Sequence, residues 1–299
     1  MKRTVFFHNP KAGDSDHKPE KLLDELGQQG FSCRYRSVRS HGWQDFDEDS
    51  ELLIAAGGDG CVRTVIEMLL GRTLMQRSYP LTIIPLGTAN NIARTFGIDP
   101  DPYEAAAAVK SSVSRKLDIG FVEGLPKREF FIEGIGAGIF PALMKKAKNG
   151  VDGDLPVEEK LMETLKVLEE IVRDFKPLQV TVTADGSCYE EEYLMVEIMN
   201  TRSIGPNLVL AENADPGDGL LDIVLIPAGQ RDRLLKHIRA RISGEEDDFS
   251  YPGIKAQEIT LSLPATRIHV DDQAVQYAGG QLGVYIRKGV LDILAPRPG

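Results

Sequence analysis

The sequence is poor in the residues and patterns that mark several large protein classes. Its three cysteines, Cys33, Cys61 and Cys188, have spacings that fit neither a disulfide framework nor a zinc site. No apolar run approaches the length of a membrane span, and the apolar start of the chain stops at His8, too early for a signal peptide. We therefore expect a protein of the reducing cytoplasm.

Basic residues are also outnumbered by acidic ones. The chain has 35 Lys and Arg residues against 45 Asp and Glu residues, which gives a net charge of -10. This balance argues against nucleic acid as a partner and against binding to an anionic membrane through overall charge. The local exception is a basic segment at 231–241, whose cations are Arg231, Arg233, Lys236, Arg239 and Arg241. A solvated helix face is the favoured interpretation of this segment, and contact with lipid head groups is the alternative.

Common catalytic signatures are missing. The chain has no Gly-x-Ser-x-Gly elbow, no His-Glu-x-x-His pair, no paired Cys-x-x-Cys and no Walker loop. The run Gly134-Ile135-Gly136-Ala137-Gly138 is similar to a dinucleotide-binding fingerprint, but its third glycine is misplaced. Close packing at the end of a strand is the favoured interpretation of this run.

The first 118 residues alternate strand and helix patterns. Short apolar runs at 4–7, 52–56 and 81–85 end in turn residues. A helix between the second and third runs has an apolar face formed by Val62, Val65, Ile66, Leu69 and Leu70. This alternation predicts a three-layer α/β domain over 1–118, with a parallel sheet between helices.

Residues 119–299 have a different pattern. Most of their predicted elements are strands separated by turns, at 180–183, 193–199, 221–226, 259–263 and 284–286. Asp185-Gly186 predicts a hairpin turn, and one amphipathic helix with an apolar stripe from Leu161 to Phe175 interrupts the strands. The pattern predicts a β-rich antiparallel sandwich or barrel, and its edge strands leave homodimerisation open.

The strongest local motif is Gly57-Gly58-Asp59-Gly60, which lies between the strand predicted at 52–56 and a helix beginning near Cys61. Glycines let the backbone approach a ligand closely, and a helix N-terminus offers free N–H groups to a phosphate. A carboxylate at Asp59 beside phosphates indicates Mg²⁺ or a catalytic base. A glycine-rich turn with a capping Asp is the structural alternative, and the motif alone leaves the two about even.

Two further turns follow predicted strands in the same way. One is Leu86-Gly87-Thr88-Ala89-Asn90-Asn91, in which Thr88, Asn90 and Asn91 have donors for phosphate or ribose oxygens or, alternatively, cap a helix. The other is Asn9-Pro10-Lys11-Ala12-Gly13. Because the carboxyl ends of parallel strands meet at one edge of a sheet, the three turns predict one crevice.

In order and spacing, these three motifs resemble those of the diacylglycerol kinase catalytic domain, which is shared with sphingosine kinases and bacterial lipid kinases. The resemblance extends over nearly the whole chain, because Asn200-Thr201-Arg202-Ser203-Ile204-Gly205 and Ala214-Asp215-Pro216-Gly217-Asp218-Gly219-Leu220-Leu221-Asp222 look like the C-terminal domain of the bacterial members. It implies an NAD kinase or diacylglycerol kinase-like nucleotide domain at 1–118 and a β-rich lipid domain at 119–299, with the last strand free to return to the first domain.

The resemblance also implies a function and its residues. The chain would be an ATP-dependent kinase of a lipid hydroxyl that works transiently at the inner membrane face, with the lipid in the cleft between the domains. The implied nucleotide-binding residues are Asn9, Gly57, Gly58, Asp59, Gly60, Cys61, Gly87, Thr88 and Asn90. Mg²⁺ is implied near Asp215, Asp218 and Leu220, with a side-chain ligand from Asp218 and largely backbone ligands from the other two.

Several residues depart from the family pattern. Cys61 stands where Thr is usual, Arg63 where Asn is usual, and Asn91 where Asp is frequent. Arg63, on the first turn of its predicted helix, either reaches a phosphate or is a solvated side chain, and we weigh the two equally.

The most serious departure concerns the catalytic base. The family's late Asp-Gly-Glu motif, whose acidic residues are assigned as the base, here reads Asp271-Asp272-Gln273, and an amide at Gln273 cannot usefully accept a proton. In the resulting hypothesis Asp59 positions the metal or the acceptor hydroxyl. Asp271 is the favoured base, helped or replaced by Asp272.

Two other functions stay open. One is a soluble small-molecule kinase of the NAD kinase type, because Gly-Gly-Asp-Gly loops occur there too. The other is a non-catalytic nucleotide-binding regulatory protein, which Cys61, Asn91 and Gln273 would suit. The paired motifs at 87–91 and 215–222 favour the lipid kinase.

Overall fold

The chain folds into two compact units. A computed structural model describes residues 1–13, 17–72, 78–127, 129–150, 155–245 and 253–297. One unit consists of Met1–Leu117 together with the chain from Gly289 onward, and the other is Asp118–Lys288. The sequence prediction places the boundary between residues 118 and 119.

The strands are numbered along the chain. They are β1 (Lys2–His8), β2 (Phe31–Ser37), β3 (Leu52–Gly57), β4 (Leu81–Pro85), β5 (Val113–Glu123), β6 (Glu129–Phe131), β7 (Gly134–Gly138), β8 (Leu178–Ala184), β9 (Ser187–Met199), β10 (Ser203–Ile204), β11 (Leu208–Val209), β12 (Leu221–Pro227), β13 (Ile254–Ala256), β14 (Glu258–Leu263), β15 (Thr266–Val270), β16 (Gln273–Tyr277) and β17 (Gly280–Ala295).

The helices are numbered in the same way. They are α1 (Pro19–Gln28), α2 (Asp59–Arg72), α3 (Asn91–Thr95), α4 (Pro102–Ala108), α5 (Ile139–Gly150), α6 (Val157–Asp174) and α7 (Arg231–Ser243). Short 3₁₀ segments lie at Val109–Ser111 and Ala228–Gln230. Among the described residues, no helix combines the length and the apolar character needed to cross a bilayer.

The first unit is a parallel sheet flanked by helices. Its strand order is the end of β17, then β4, β3, β1 and β2, and every pairing is parallel. The central strands are buried, as expected for a sheet covered on both faces. Helix α2 packs Val62, Val65, Ile66 and Leu69 into the core, as its 3.6-residue period predicts, while Leu70 is half-buried.

The second unit is built on antiparallel strands. Its strand order is β16, β15, β7, β9, β8, β14 and the start of β17, with β12 and β13 joined to it through β9. The long strand β9 pairs with β8 through its first half and with β7 and β12 through its second half. The predicted turn at Asp185-Gly186 joins β8 to β9, and both residues have the positive φ that a tight hairpin needs. A parallel α/β domain followed by a β-rich antiparallel domain is therefore confirmed.

The basic segment at 231–241 forms helix α7, and part of its charge is used within the second unit. The Arg231 guanidinium donates a hydrogen bond of 2.8 Å to the Phe175 carbonyl oxygen, beyond the C-terminal end of α6. Arg239 forms an ion pair with Glu169 at 2.8 Å. A cation at a helix C-terminus satisfies carbonyl groups that lack helical partners. These two arginines therefore hold α7 against α6. The favoured prediction, a solvated helix face, does not account for these contacts.

The glycine run at 134–138 is a strand rather than the end of one. It forms β7, which is buried between β9 and β15. A Cβ added to Gly136 would lie 2.1 Å from a carboxylate oxygen of Glu197 on β9. The predicted reason for the glycines, close packing, is confirmed at this position, because a buried carboxylate occupies the space of the missing side chain.

Candidate functional site

The three predicted turns meet at one edge of the first sheet. They follow β1, β3 and β4, which are neighbours in the sheet. The Asn9 N–H donates to the Ala56 carbonyl oxygen at 3.0 Å, and the Leu86 N–H donates to the Gly57 carbonyl oxygen at 3.1 Å. The predicted clustering of these turns is confirmed, and it follows from the parallel strand order.

Glycine is required where two of these turns touch. A Cβ on Gly87 would lie 2.4 Å from the Gly58 Cα, which is closer than atoms can approach. A Cβ on Gly57 would lie 2.4 Å from the Cys61 Cβ. The local packing therefore requires glycine at 57 and 87, and a Cβ on Gly58 would be tight at 3.0 Å from the Gly87 Cα. Gly60, the fourth residue of the motif, is the second residue of α2, so the motif ends within a helix N-terminus.

Asp59 links the turn after β3 to the turn after β4. Helix α2 begins at Asp59, two residues earlier than predicted. One carboxylate oxygen of Asp59 accepts the Asn91 N–H and the other accepts the Ile92 N–H, both at 3.0 Å. The carboxylate thus caps the start of α3. This geometry makes Asp59 a positioning residue, and its catalytic role stays a prediction.

The side chain of Asn90 is committed to its own turn. Asn90 has a left-handed backbone, with φ 53°. Its Oδ1 accepts the Gly87 N–H at 2.9 Å, and its Nδ2 donates to the Gly87 carbonyl oxygen at 2.8 Å. Asn91 is buried as well. Asn90 therefore shapes its own turn and Asn91 lies inside the protein, while nucleotide binding at Asn90 stays a prediction.

Cys61 and Arg63 also differ from expectation. The Cys61 thiol is buried, its Sγ lies 3.8 Å from the Ala56 carbonyl oxygen, and burial raises its pKa to about 12. A neutral buried thiol offers a nucleotide no exposed donor, and nucleotide binding at Cys61 stays a prediction. Arg63 is buried rather than solvated, with Glu67 at 3.8 Å.

The accessible polar groups of the cluster come from Asn9, Lys11, Arg39 and Thr88. Asn9 Oδ1 accepts the Lys11 N–H and the Arg39 Nε–H, each at 3.2 Å. Lys11 and Arg39 are exposed, and Thr88 is half-exposed. Two cations beside glycine turns and a helix N-terminus suit an anionic ligand such as a polyphosphate. Arg39 has no motif around it in the sequence, and the pairing of β1 with β2 brings it to Asn9.

In the second unit, Asp271 binds backbone rather than facing solvent. It is buried with φ 50°, and its Oδ1 accepts the N–H groups of Ile132, Glu133 and Gly134 at 3.0, 2.8 and 3.2 Å. Such a carboxylate is a positioning residue for the turn before β7. This geometry favours a positioning role for Asp271, and its predicted role as the base stays a prediction. Asp272, next to it, is exposed and stays a candidate.

A buried acid–histidine pair lies next to this turn, and no pattern in the sequence predicts it. His269 Nε2 lies 2.6 Å from Glu197 Oε2, and both side chains are at most 1% exposed. His269 Nδ1 donates to the Asp271 carbonyl oxygen at 3.0 Å. Burial raises the pKa of Glu197. Burial opposes a charged His269, but the Glu197 carboxylate and the Asp271 carbonyl outweigh it and raise the pKa of His269. Because the pKa values of Glu197 and His269 are both raised, the folded pair keeps one proton.

At the predicted metal loop, 215–220, the carboxylates of Asp215 and Asp218 have partners within the protein. Asp215 Oδ1 accepts the Gly217 N–H at 3.1 Å, and Asp218 Oδ1 accepts the Leu220 N–H at 2.8 Å. The remaining Asp218 oxygen contacts a lysine ammonium, Lys255 Nζ, at 2.8 Å. Within the described ranges, no group of three or more His, Cys, Asp or Glu side chains is arranged to hold a metal.

Comparisons with known proteins give consistent results. The family model described as diacylglycerol kinase catalytic domain matches residues 3–122, and the one described as YegS C-terminal NAD kinase beta sandwich-like domain matches residues 146–280. A diacylglycerol kinase of Bacillus subtilis is 28% identical over 261 residues, which cover 82% of this chain and 80% of the relative.

Solved structures share the fold. A diacylglycerol kinase from Bacillus anthracis has a TM-score of 0.74 at 22% identity, over 98% of this chain and 97% of that chain. An NAD kinase from Archaeoglobus fulgidus in complex with ATP has a TM-score of 0.51 at 11% identity, over 99% and 94% of the two chains. Identities this low establish the architecture alone.

The buried pair predicts a specific pH dependence of stability. Above the ordinary His pKa of 6.5 the unfolded chain holds no proton on either group, whereas the folded pair keeps one. Stability from this proton is therefore present below pH 6.5 and is lost as pH rises through the raised folded pKa of His269. From about pH 6.5 up to the raised folded pKa of His269, the free energy of unfolding should fall by up to about 1.4 kcal/mol per pH unit more steeply in the wild type than in a Glu197→Gln/His269→Gln variant.

Urea unfolding at a series of pH values measures this difference. His41→Gln, which removes an exposed histidine, is the matched control and should keep the wild-type slope. Equal slopes for the wild type and the double variant would show that the pair holds no extra proton.

Proposed function

Because the chain belongs to the diacylglycerol kinase catalytic-domain family, we propose that it is an ATP-dependent lipid kinase that transfers the γ-phosphate to a free hydroxyl of a lipid such as diacylglycerol. The observation that carries this proposal is the meeting of three glycine-bearing turns, after β1, β3 and β4, beside two exposed cations. The lipid would be met at the inner membrane face, to which the protein binds transiently.

The nucleotide part of the proposal uses the first unit. ATP phosphates would lie against the backbone N–H groups at the start of α2 and accept hydrogen bonds from Thr88, Lys11 and Arg39. Mg²⁺ enters as part of the nucleotide substrate and neutralises phosphate charge. Asp59 would act by holding the turns at 57–60 and 87–92 in one arrangement, because its two oxygens join them.

The acceptor part of the proposal uses the second unit. Phosphoryl transfer depends mainly on positioning and charge, with a base for the acceptor hydroxyl. Asp272 is the exposed carboxylate of the turn between β15 and β16, and Asp271 fixes that turn through the backbone at 132–134. We therefore assign the base to Asp272 and a positioning role to Asp271, while Gln273 supplies no proton acceptor.

Arg39→Gln tests the nucleotide site. Loss of a charge-assisted hydrogen bond costs about 1.5–3 kcal/mol, so the KM for ATP should rise by about tenfold or more while kcat changes less. The matched control is Arg34→Gln on β2, because Arg34 is exposed and pairs with Asp47 at 2.6 Å. Steady-state kinetics measure both. Equal KM values for the two variants would remove Arg39 from the nucleotide site.

Asp272→Asn tests the lipid kinase itself. Wild-type protein given γ-labelled ATP and mixed vesicles containing diacylglycerol should place label in the lipid extract. The variant should lose about 10²-fold in kcat, the lower range for a general base. Asp174→Asn removes another exposed carboxylate of the second unit and should leave labelling unchanged. Labelling that survives in Asp272→Asn would exclude Asp272 as the base.

The same assay separates the alternatives. Label in NAD⁺ rather than in lipid would identify a small-molecule kinase of the NAD kinase type, a function that the shared fold permits. ATP binding with no label in either acceptor would favour a regulatory protein, for which Gln273 and the backbone-bound Asp271 are the relevant observations.

A further inference from the structure

Lys255 lies at the centre of the loop where the family resemblance implies a metal. Its ammonium Nζ is 2.8 Å from Asp218 Oδ2, 3.3 Å from Asp222 Oδ2 and 3.4 Å from the Asn213 carbonyl oxygen. Three oxygens around one cation match the three donors of an ammonium group. The loop therefore has a positive centre that is supplied by the protein itself.

The backbone fixes this lysine in place. Lys255 lies directly opposite Asp222 where β13 pairs with β12. The Asp222 side chain is 8% exposed, whereas those of Lys255 and Asp218 are 30% and 27% exposed. A buried carboxylate needs a partner to remain charged, and the strand register provides it.

A second lysine makes a divalent cation still less favourable. Lys288 Nζ donates to the Asp218 carbonyl oxygen at 3.0 Å. Mg²⁺ at Asp218 would lie beside two ammonium groups, and like charges at such distances repel strongly where solvent is partly excluded. The other Asp218 carboxylate oxygen, Oδ1, already accepts the Leu220 N–H.

We propose that Lys255 is a built-in counter-cation that takes the place of Mg²⁺ in the loop at 213–222, so that this loop is folded without a divalent metal. The proposal concerns the second unit alone and does not depend on the kinase assignment. The proposal does not apply to magnesium bound to ATP, because the nucleotide is assigned to the first unit.

Thermal unfolding without nucleotide tests the proposal. The wild type should contain no stoichiometric Mg²⁺ or Ca²⁺ after purification, as measured by mass spectrometry of the metal content, and EDTA or added Mg²⁺ should leave its Tm unchanged. Lys255→Met should lower the Tm in EDTA, and Mg²⁺ or Ca²⁺ should restore part of the loss in a saturable way, because binding to the folded state alone stabilises it. Lys236→Met, which removes an exposed lysine of α7, is the control and should respond to neither reagent.

Several results would overturn the proposal. One is a bound divalent ion in the wild type whose removal lowers the Tm, with the effect lost in Asp218→Asn. Another is a Lys255→Met protein as stable as the Lys236→Met control. A loss of stability in Lys255→Met that no divalent cation restores would show that the lysine does not hold a cation's position. Should Lys255→Met fail to fold, the metal content and EDTA response of the wild type still decide the question.

Discussion

The close approach of Gly58 and Gly87 is the constraint on which the candidate nucleotide site depends. A Cβ at position 87 would lie 2.4 Å from the Gly58 Cα, so the turns after β3 and β4 can touch because residue 87 is glycine. This contact brings Asp59 within reach of the Asn91 and Ile92 N–H groups, which fixes the start of α3. The turns are thereby ordered before any ligand binds, and preorganisation of this kind lowers the cost of binding.

Both units use carboxylates in the same way. Asp59 caps α3, Asp271 accepts three consecutive backbone N–H groups, and Asp218 accepts a backbone N–H while it pairs with Lys255. The first role of the acidic residues in these glycine-rich motifs is therefore to fix turns that lie outside strands and helices. Among the described residues, the candidates for chemistry are the exposed Lys11, Arg39 and Asp272 and the half-exposed Thr88. The proposed function rests on turns that the protein's own carboxylates fix.

The sequence predicted the architecture because hydrophobic periodicity is local. The strand at Leu81–Pro85 and the buried face of α2 follow from neighbouring residues. The contacts that individual side chains make were not predictable. Asn90, a predicted ligand donor, instead binds Gly87 through both its Oδ1 and its Nδ2. Arg39 joins Asn9 only through the pairing of β1 with β2. Lys255 meets Asp218 across 37 positions, a separation that no motif spans.

The central claim, that the turns after β1, β3 and β4 form the nucleotide site, is tested most directly by hydrogen–deuterium exchange with and without MgATP. Backbone N–H groups that bind phosphate should exchange more slowly when the nucleotide is present. The account predicts protection in peptides covering 9–13, 57–61 and 86–92, with none required in the loop at 213–222. Protection confined to the second unit, or none at saturating MgATP, would contradict it.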